Sequence, residues 1–130
     1  VFAGAQYTAT DGEVKFVKFF PTGTTTQASG DVTAYIYDDP NIVYAVQSAG
    51  SADFADIGNN ADIVAGSGDT LSGQSRFEIS GTTGTGTANL RIHRKFESPQ
   101  NSYGTNGILE VTIHEHELNQ HIDADGTPGV

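Results

Sequence analysis

The chain has no cysteine, no tryptophan, four prolines and six basic residues against sixteen acidic ones in 130 positions. Without thiols there is no disulfide scaffold, no thiolate nucleophile and no Cys-ligated zinc, and redox compartment leaves no mark on the sequence. Without tryptophan, sugar stacking loses its best platform. No apolar run approaches the roughly 20 residues a membrane-spanning helix requires. The formal charge of −10 repels phosphate backbones and anionic lipid over a Debye length, so neither nucleic acid nor a membrane surface is an expected partner. The chain opens on Val1 and not on methionine, which reads as a processed or partial product.

What the chain does have is glycine. Sixteen glycines are interleaved with Thr, Ser and Asn between short apolar stretches, the punctuation expected between strands. Alternation predicts strands at Ser75–Ile79, with Phe77 and Ile79 opposite Arg76 and Glu78. It also predicts them at Leu90–Ile92 and at Leu109–Ile113, each with one face buried. Val14–Phe20, Val32–Tyr37 and Ile42–Val46 are further β-rich segments. In the first, Val14 and Phe16 have one parity and Val17 and Phe19 the other, which calls for a bulge or bend. Asp11-Gly12 and Asp38-Asp39-Pro40-Asn41 read as hairpin turns, and Gly81–Thr87 as a mobile loop. Ala52–Ile57 suits one helical turn before Gly58. The expectation is an all-β fold, a small antiparallel barrel or sandwich with long Gly/Thr/Ser-rich loops, formed by a single domain over residues 1–130. Residues 1–30 suit an N-terminal hairpin subdomain and residues 119–130 a frayed acidic tail.

Few residues suggest chemistry. His114 and His116 would project to one side of a strand, and with His121 could ligate a metal, an arrangement similar to the first ligand pair of cupin sites. The commoner explanation is a polar strand end, and no metal or cofactor is expected. Asp123-Ala124-Asp125-Gly126 lacks the later glutamate of a calcium loop, and Gly66-Ser67-Gly68-Asp69 lacks the lysine of a phosphate cradle. No nucleophile elbow or facing carboxylate pair is present, so no catalysis is expected. Arg91, Arg94 and Lys95 concentrate positive charge on one strand of an acidic chain. Either Arg91 and Lys95 pair with Glu110 or Glu117, or the cluster docks on an acidic partner surface. Tyr35 and Tyr37 share a face opposite Val32, Ala34 and Ile36, so one side should be packed and the tyrosines offered to an interface.

Three stretches, Asp38-Asp39-Pro40-Asn41, Val43–Gln47 and Asn60–Gly68, resemble a family of small tailed-bacteriophage head proteins that decorate or cement the capsid. The similarity continues through Ser72–Phe77, Leu90-Arg91-Ile92, Ser98-Pro99-Gln100-Asn101 and Leu109–Leu118. It spans Val32 to Leu118, with Gly4-Ala5-Gln6-Tyr7 and Phe19-Phe20-Pro21 fitting more loosely. The Gly81–Thr87 loop and the histidine-rich end of the last strand depart from it. The resemblance implies a virion structural protein on the outer surface of an icosahedral capsid. It would stabilise the shell by bridging major capsid protein subunits, as a homo-oligomer, with a trimer favoured. Two alternatives stand beside it: a virion-displayed receptor- or glycan-binding module using the Thr22–Asp31 and Gly81–Thr87 loops, and a metal-dependent β-barrel enzyme built on the three histidines.

Overall fold

A computed structural model describes residues 1–20, 23–27 and 32–116. The fold is all-β, in three antiparallel sheets, with no α-helix among the described residues. By its internal contacts the chain divides into two compact units, one made of Val1–Asp38 with Gly68–Ser75, the other of Asp39–Ser67 with the chain from Arg76 onward. The hairpin expected within residues 1–30 is thus part of a larger unit that also takes in a third strand and a distant loop. The frayed tail expected at 119–130 lies outside the described residues.

In the first unit β1 (Phe2–Thr8) lies between β2 (Val14–Val17) and β3 (Val32–Ile36). The β1–β2 hairpin closes at Asp11-Gly12 as its composition predicts. Gly12 has φ +86°, its N–H donates to Ala9 O at 2.9 Å, and Asp11 Oδ1 accepts from the Glu13 N–H at 3.0 Å. β2 runs to Val17 in unbroken register, with Val14 and Phe16 on one face and Val17 on the other, and the expected bend comes only after it, at Lys18 and Phe19. Residues 68–75 form a tight loop organised by Asp69. Its carboxylate accepts from the Leu71 N–H and the Ser72 hydroxyl, both at 2.9 Å, and the Asp69 and Gln74 backbones join at 2.9 Å. These two donors, Leu71 first, hold the Asp69 carboxyl below its ordinary value.

The second unit carries β4 (Tyr44–Gln47), β5 (Ser51–Ala52), β6 (Asn60–Val64), β7 (Glu78–Gly84), β8 (Leu90–Lys95), β9 (Gly104–Thr105) and β10 (Ile108–Ile113). Its main sheet has the order β4-β10-β8-β6-β7, and β5 pairs with β9. Alternation places Leu90, Ile92, Leu109 and Val111 inward, where they join Ala52, Ala61 and Ile79 in the core. The edge strands β4 and β7 curl toward one another without closing the ladder. A bridge joins Ser48 to Ile79, and the Ala49 N–H donates to Ile79 O at 2.8 Å. Gly50 and Gly81 make that approach, and a Cβ on either would stand 3.0 Å from the other's Cα. As expected, Phe54–Asp56 form a single 3₁₀ turn, capped by Asp53.

Several expectations are corrected. The strand placed at Ser75–Ile79 begins at Glu78, because Arg76 adopts φ +51° and interrupts it, and Phe77 is exposed. The strand then continues through Gly84, so half of the supposed Gly81–Thr87 loop is paired with β6. Asp38-Asp39-Pro40-Asn41 is a turn, with Asn41 N–H donating to Asp39 Oδ1 at 2.8 Å, but not a hairpin: β3 pairs with β1, and β4 with β10. Local turn chemistry was read correctly there, whereas strand partnership is non-local. The packed side expected for β3 is absent, since all five of its residues are exposed.

Candidate interaction surface

The sheet β2-β1-β3 has two unlike faces. On one, Ala5 and Tyr7 are buried, and Tyr7 meets Phe20 edge to face with centroids 5.4 Å apart. Pleating and register place Gly4, Gln6 and Thr8 of β1 on the other, flanked by Val14 and Phe16 of β2 and by Thr33 and Tyr35 of β3. Tyr37 continues the parity of Tyr35 beyond the strand end.

This second face presents exposed aromatic rings, with the uncharged polar Gln6, Thr8 and Thr33 among them. Phe16 is 71% exposed, Tyr37 54% and Tyr35 45%, and Val14 is exposed beside them. Between the Phe16 and Tyr35 rings lies an open depression of about 280 Å³, lined also by Ala3, Gly4, Ala5, Val17 and Lys18. Its floor is Gly4, where a Cβ would come within 2.9 Å of Val17 O, so the strand keeps that floor bare. The Tyr35 hydroxyl donates to Gln6 Oε1 at 2.8 Å, which fixes the ring against the sheet before anything binds. Exposed aromatic rings, one of them tethered, suit adhesion to another protein surface, where desolvating such groups drives association.

Of the interface residues read from sequence, Tyr35 and Tyr37 fall on this face. Arg91, Arg94 and Lys95 lie on β8 in the other unit and are engaged locally. Arg91 Nη1 donates to Asn60 Oδ1 at 3.1 Å. Arg94 Nε meets Glu110 Oε2 at 2.6 Å, and Lys95 reaches Glu97 at 3.8 Å and Asn101 O at 3.3 Å. The expected pairing of Arg91 and Lys95 with Glu110 is therefore corrected to Arg94 with Glu110. The reason is a bulge at His93: Ile92 stands opposite Val111 while Arg94 stands opposite Glu110, so one extra residue reverses the parity beyond it. Glu117 lies outside the described residues.

The histidines are not brought together as a strand-borne pair. β10 ends at Ile113 and the chain bends at His114 and Glu115, so period-two projection does not extend to His116, which is buried. Among the described residues no group of three or more His, Asp or Glu side chains has metal-holding geometry. His121 lies outside them. His93 bonds Thr112 Oγ1 at 2.8 Å through its ring.

Sequence reasoning missed Val14 and Phe16 as surface residues. Their signal was the parity conflict in β2: apolar residues on both faces of a short strand mean that one face either meets a second layer or stays bare. It also missed Asn101. This side chain donates to Phe96 O at 2.7 Å and Ile108 O at 2.8 Å and accepts from the Ile108 N–H at 2.9 Å, tying β8 to β10.

In comparison with known proteins, the chain matches no family model, no curated protein and no solved structure.

Proposed function

We propose that this protein acts by adhesion, as a virion structural subunit on the outer surface of an icosahedral capsid, where it braces neighbouring major capsid protein subunits. The observation that carries the adhesive part is the bare face of β2-β1-β3, with Phe16, Tyr35 and Tyr37 presented around a glycine floor. Several exposed aromatic rings gathered on one sheet face of an acidic chain suit a surface that another protein covers. The capsid as its target is supported by the resemblance over Val32–Leu118, and an acidic subunit outside the shell needs no affinity for the packaged genome. Modest contacts repeated over a shell reinforce it through multivalency, which requires no chemistry from the subunit.

The test uses heads assembled without the protein and then supplied with it. Wild-type protein should bind them and raise the temperature at which they break, and Phe16→Glu should bind at least roughly tenfold more weakly, the effect of losing one buried aromatic anchor. Equal binding by the variant removes this face from the interface. Equal breakage with and without the protein removes bracing.

A further inference from the structure

Among the described residues no strand pairs with the outer edge of β3, and β3 itself carries none of the protections that proteins ordinarily place at an edge. β3 reads Val32-Thr33-Ala34-Tyr35-Ile36, with no charge, no proline and no glycine, and every residue is exposed. The other edge of the same sheet carries Lys15, paired with Glu13 at 3.3 Å. In the second unit the two edges of the main sheet lean on one another through Ser48 and Ile79.

Which backbone groups β3 leaves unpaired follows from its register. The Tyr37 N–H donates to Val1 O at 2.7 Å, and the Val1 amino group donates to Tyr37 O at 3.0 Å. Tyr37 therefore points its backbone groups at the β1 side. The irregularity between β1 and β3 adds its residue to β1, at Ala3, so β3 itself alternates without interruption. Tyr35 and Thr33 then also point toward β1, while Ile36, Ala34 and Val32 direct their N–H and C=O groups away from the sheet.

We propose that this edge pairs with the same edge of a second copy, antiparallel and centred on Ala34, to give one continuous six-stranded sheet. In that register Ala34 faces its own counterpart, Val32 faces Ile36, and the three outward residues of each copy match donor to acceptor. The pairs that meet are small with small and β-branched with β-branched, both well suited to adjacent strands. Charge favours the antiparallel direction. In each chain Asp31 precedes β3, and Asp38 and Asp39 follow it. A parallel pair would gather four carboxylates at one end and two at the other, whereas an antiparallel pair divides them three and three, and added salt screens the repulsion that remains. Because the pairing is twofold, each copy consumes the other's edge and assembly stops at two. The inference does not rest on the capsid reading, and it would extend the Phe16 and Tyr35 face across both copies.

The full chain is examined by sedimentation and amide-resolved hydrogen exchange over a range of concentrations. A monomer–dimer equilibrium is expected, strengthened by added salt because each partner carries a formal charge of −10. Val32, Ala34 and Ile36 amides should gain protection as dimer forms, while Thr33, Tyr35 and Tyr37 stay protected throughout. Ala34→Pro removes an outward N–H without touching the β1 ladder and should weaken the dimer roughly tenfold to a hundredfold. Should that variant lose the Thr33 and Tyr35 protection that reports folding, Ala34→Glu sets two carboxylates side by side at the axis and should abolish the dimer. A monomer at every concentration, a dimer whose Val32, Ala34 and Ile36 amides exchange as freely as unpaired ones, or association continuing past two copies would each overturn the proposal.

Discussion

The five-stranded sheet and the three-stranded one use apolar side chains in opposite ways. In the former, Ile79, Ile92, Leu109 and Val111 are each no more than 1% exposed, and of the large apolar residues only Ile63 and Val64 at the end of β6 stay outside. In the latter the buried set is Ala5, Tyr7 and Ala9, while Phe16, Ile36 and Tyr37 are each more than half exposed. Strand propensity is similar in the two sheets, since β-branched and aromatic residues build both. What differs is whether another layer covers the pleated face. Alternation in a sequence therefore reports that two faces differ, and leaves open which of them is covered.

The largest expected effect lies in the covered sheet. Ile92→Ala should lower unfolding free energy by about 2–5 kcal/mol, through lost burial and the cavity left behind, whereas Phe16→Ala should change it by no more than about 0.5 kcal/mol. Chemical denaturation of both variants checks this. Comparable losses would mean that Phe16 is packed in solution and that the bare face is not bare.

A smaller effect is expected at Asn101, whose three side-chain bonds reinforce the Phe96 N–H to Ile108 O bond between the ends of β8 and β10. Asn101→Ala should cost about 1–3 kcal/mol, because the Ile108 N–H is left without its acceptor. Amide exchange should rise first at Ile108 while the three-stranded sheet keeps its protection. An equal rise in both sheets would show that they unfold as one.

The smallest effect concerns Asp69. Its carboxyl is held below the ordinary value of 3.8 by the Leu71 N–H and the Ser72 hydroxyl. A depressed folded-state value stabilises the loop above pH 3.8, and that contribution is lost as pH falls through the folded-state value. Titration followed at the Leu71 and Ser72 amides should show the loop loosening in that acid range, and Asp69→Asn should remove the transition. A transition that survives in Asp69→Asn belongs to another carboxylate.

Much of the second unit was legible in the sequence. Leu90 and Ile92 against Arg91 and His93, and Leu109 and Val111 against Glu110 and Thr112, fall as a period of two requires. The ion pair of Arg94 was not legible, because a single inserted residue at His93 reverses side-chain direction without any mark in composition. Nor was the start of β7, where Arg76 takes a left-handed conformation that glycine or asparagine would have announced. The interaction surface was half visible. Tyr35 and Tyr37 could be placed on one face, but Val14 and Phe16 join them only through the register of β1 with both neighbours.

The meeting of Gly50 with Gly81 has a mechanical consequence. The five-stranded wall is a split ring whose ends touch where neither carries a side chain, and a few bonds beside that contact hold them: the Ala49 N–H to Ile79 O at 2.8 Å and Gln47 Nε2 donating to Glu78 Oε1 at 2.9 Å. A continuous hoop must break a full ladder to widen, but a split one widens by parting its ends. Widening of this wall is therefore resisted along one line by those few bonds alone, and β8, the middle strand of the five, lies opposite it.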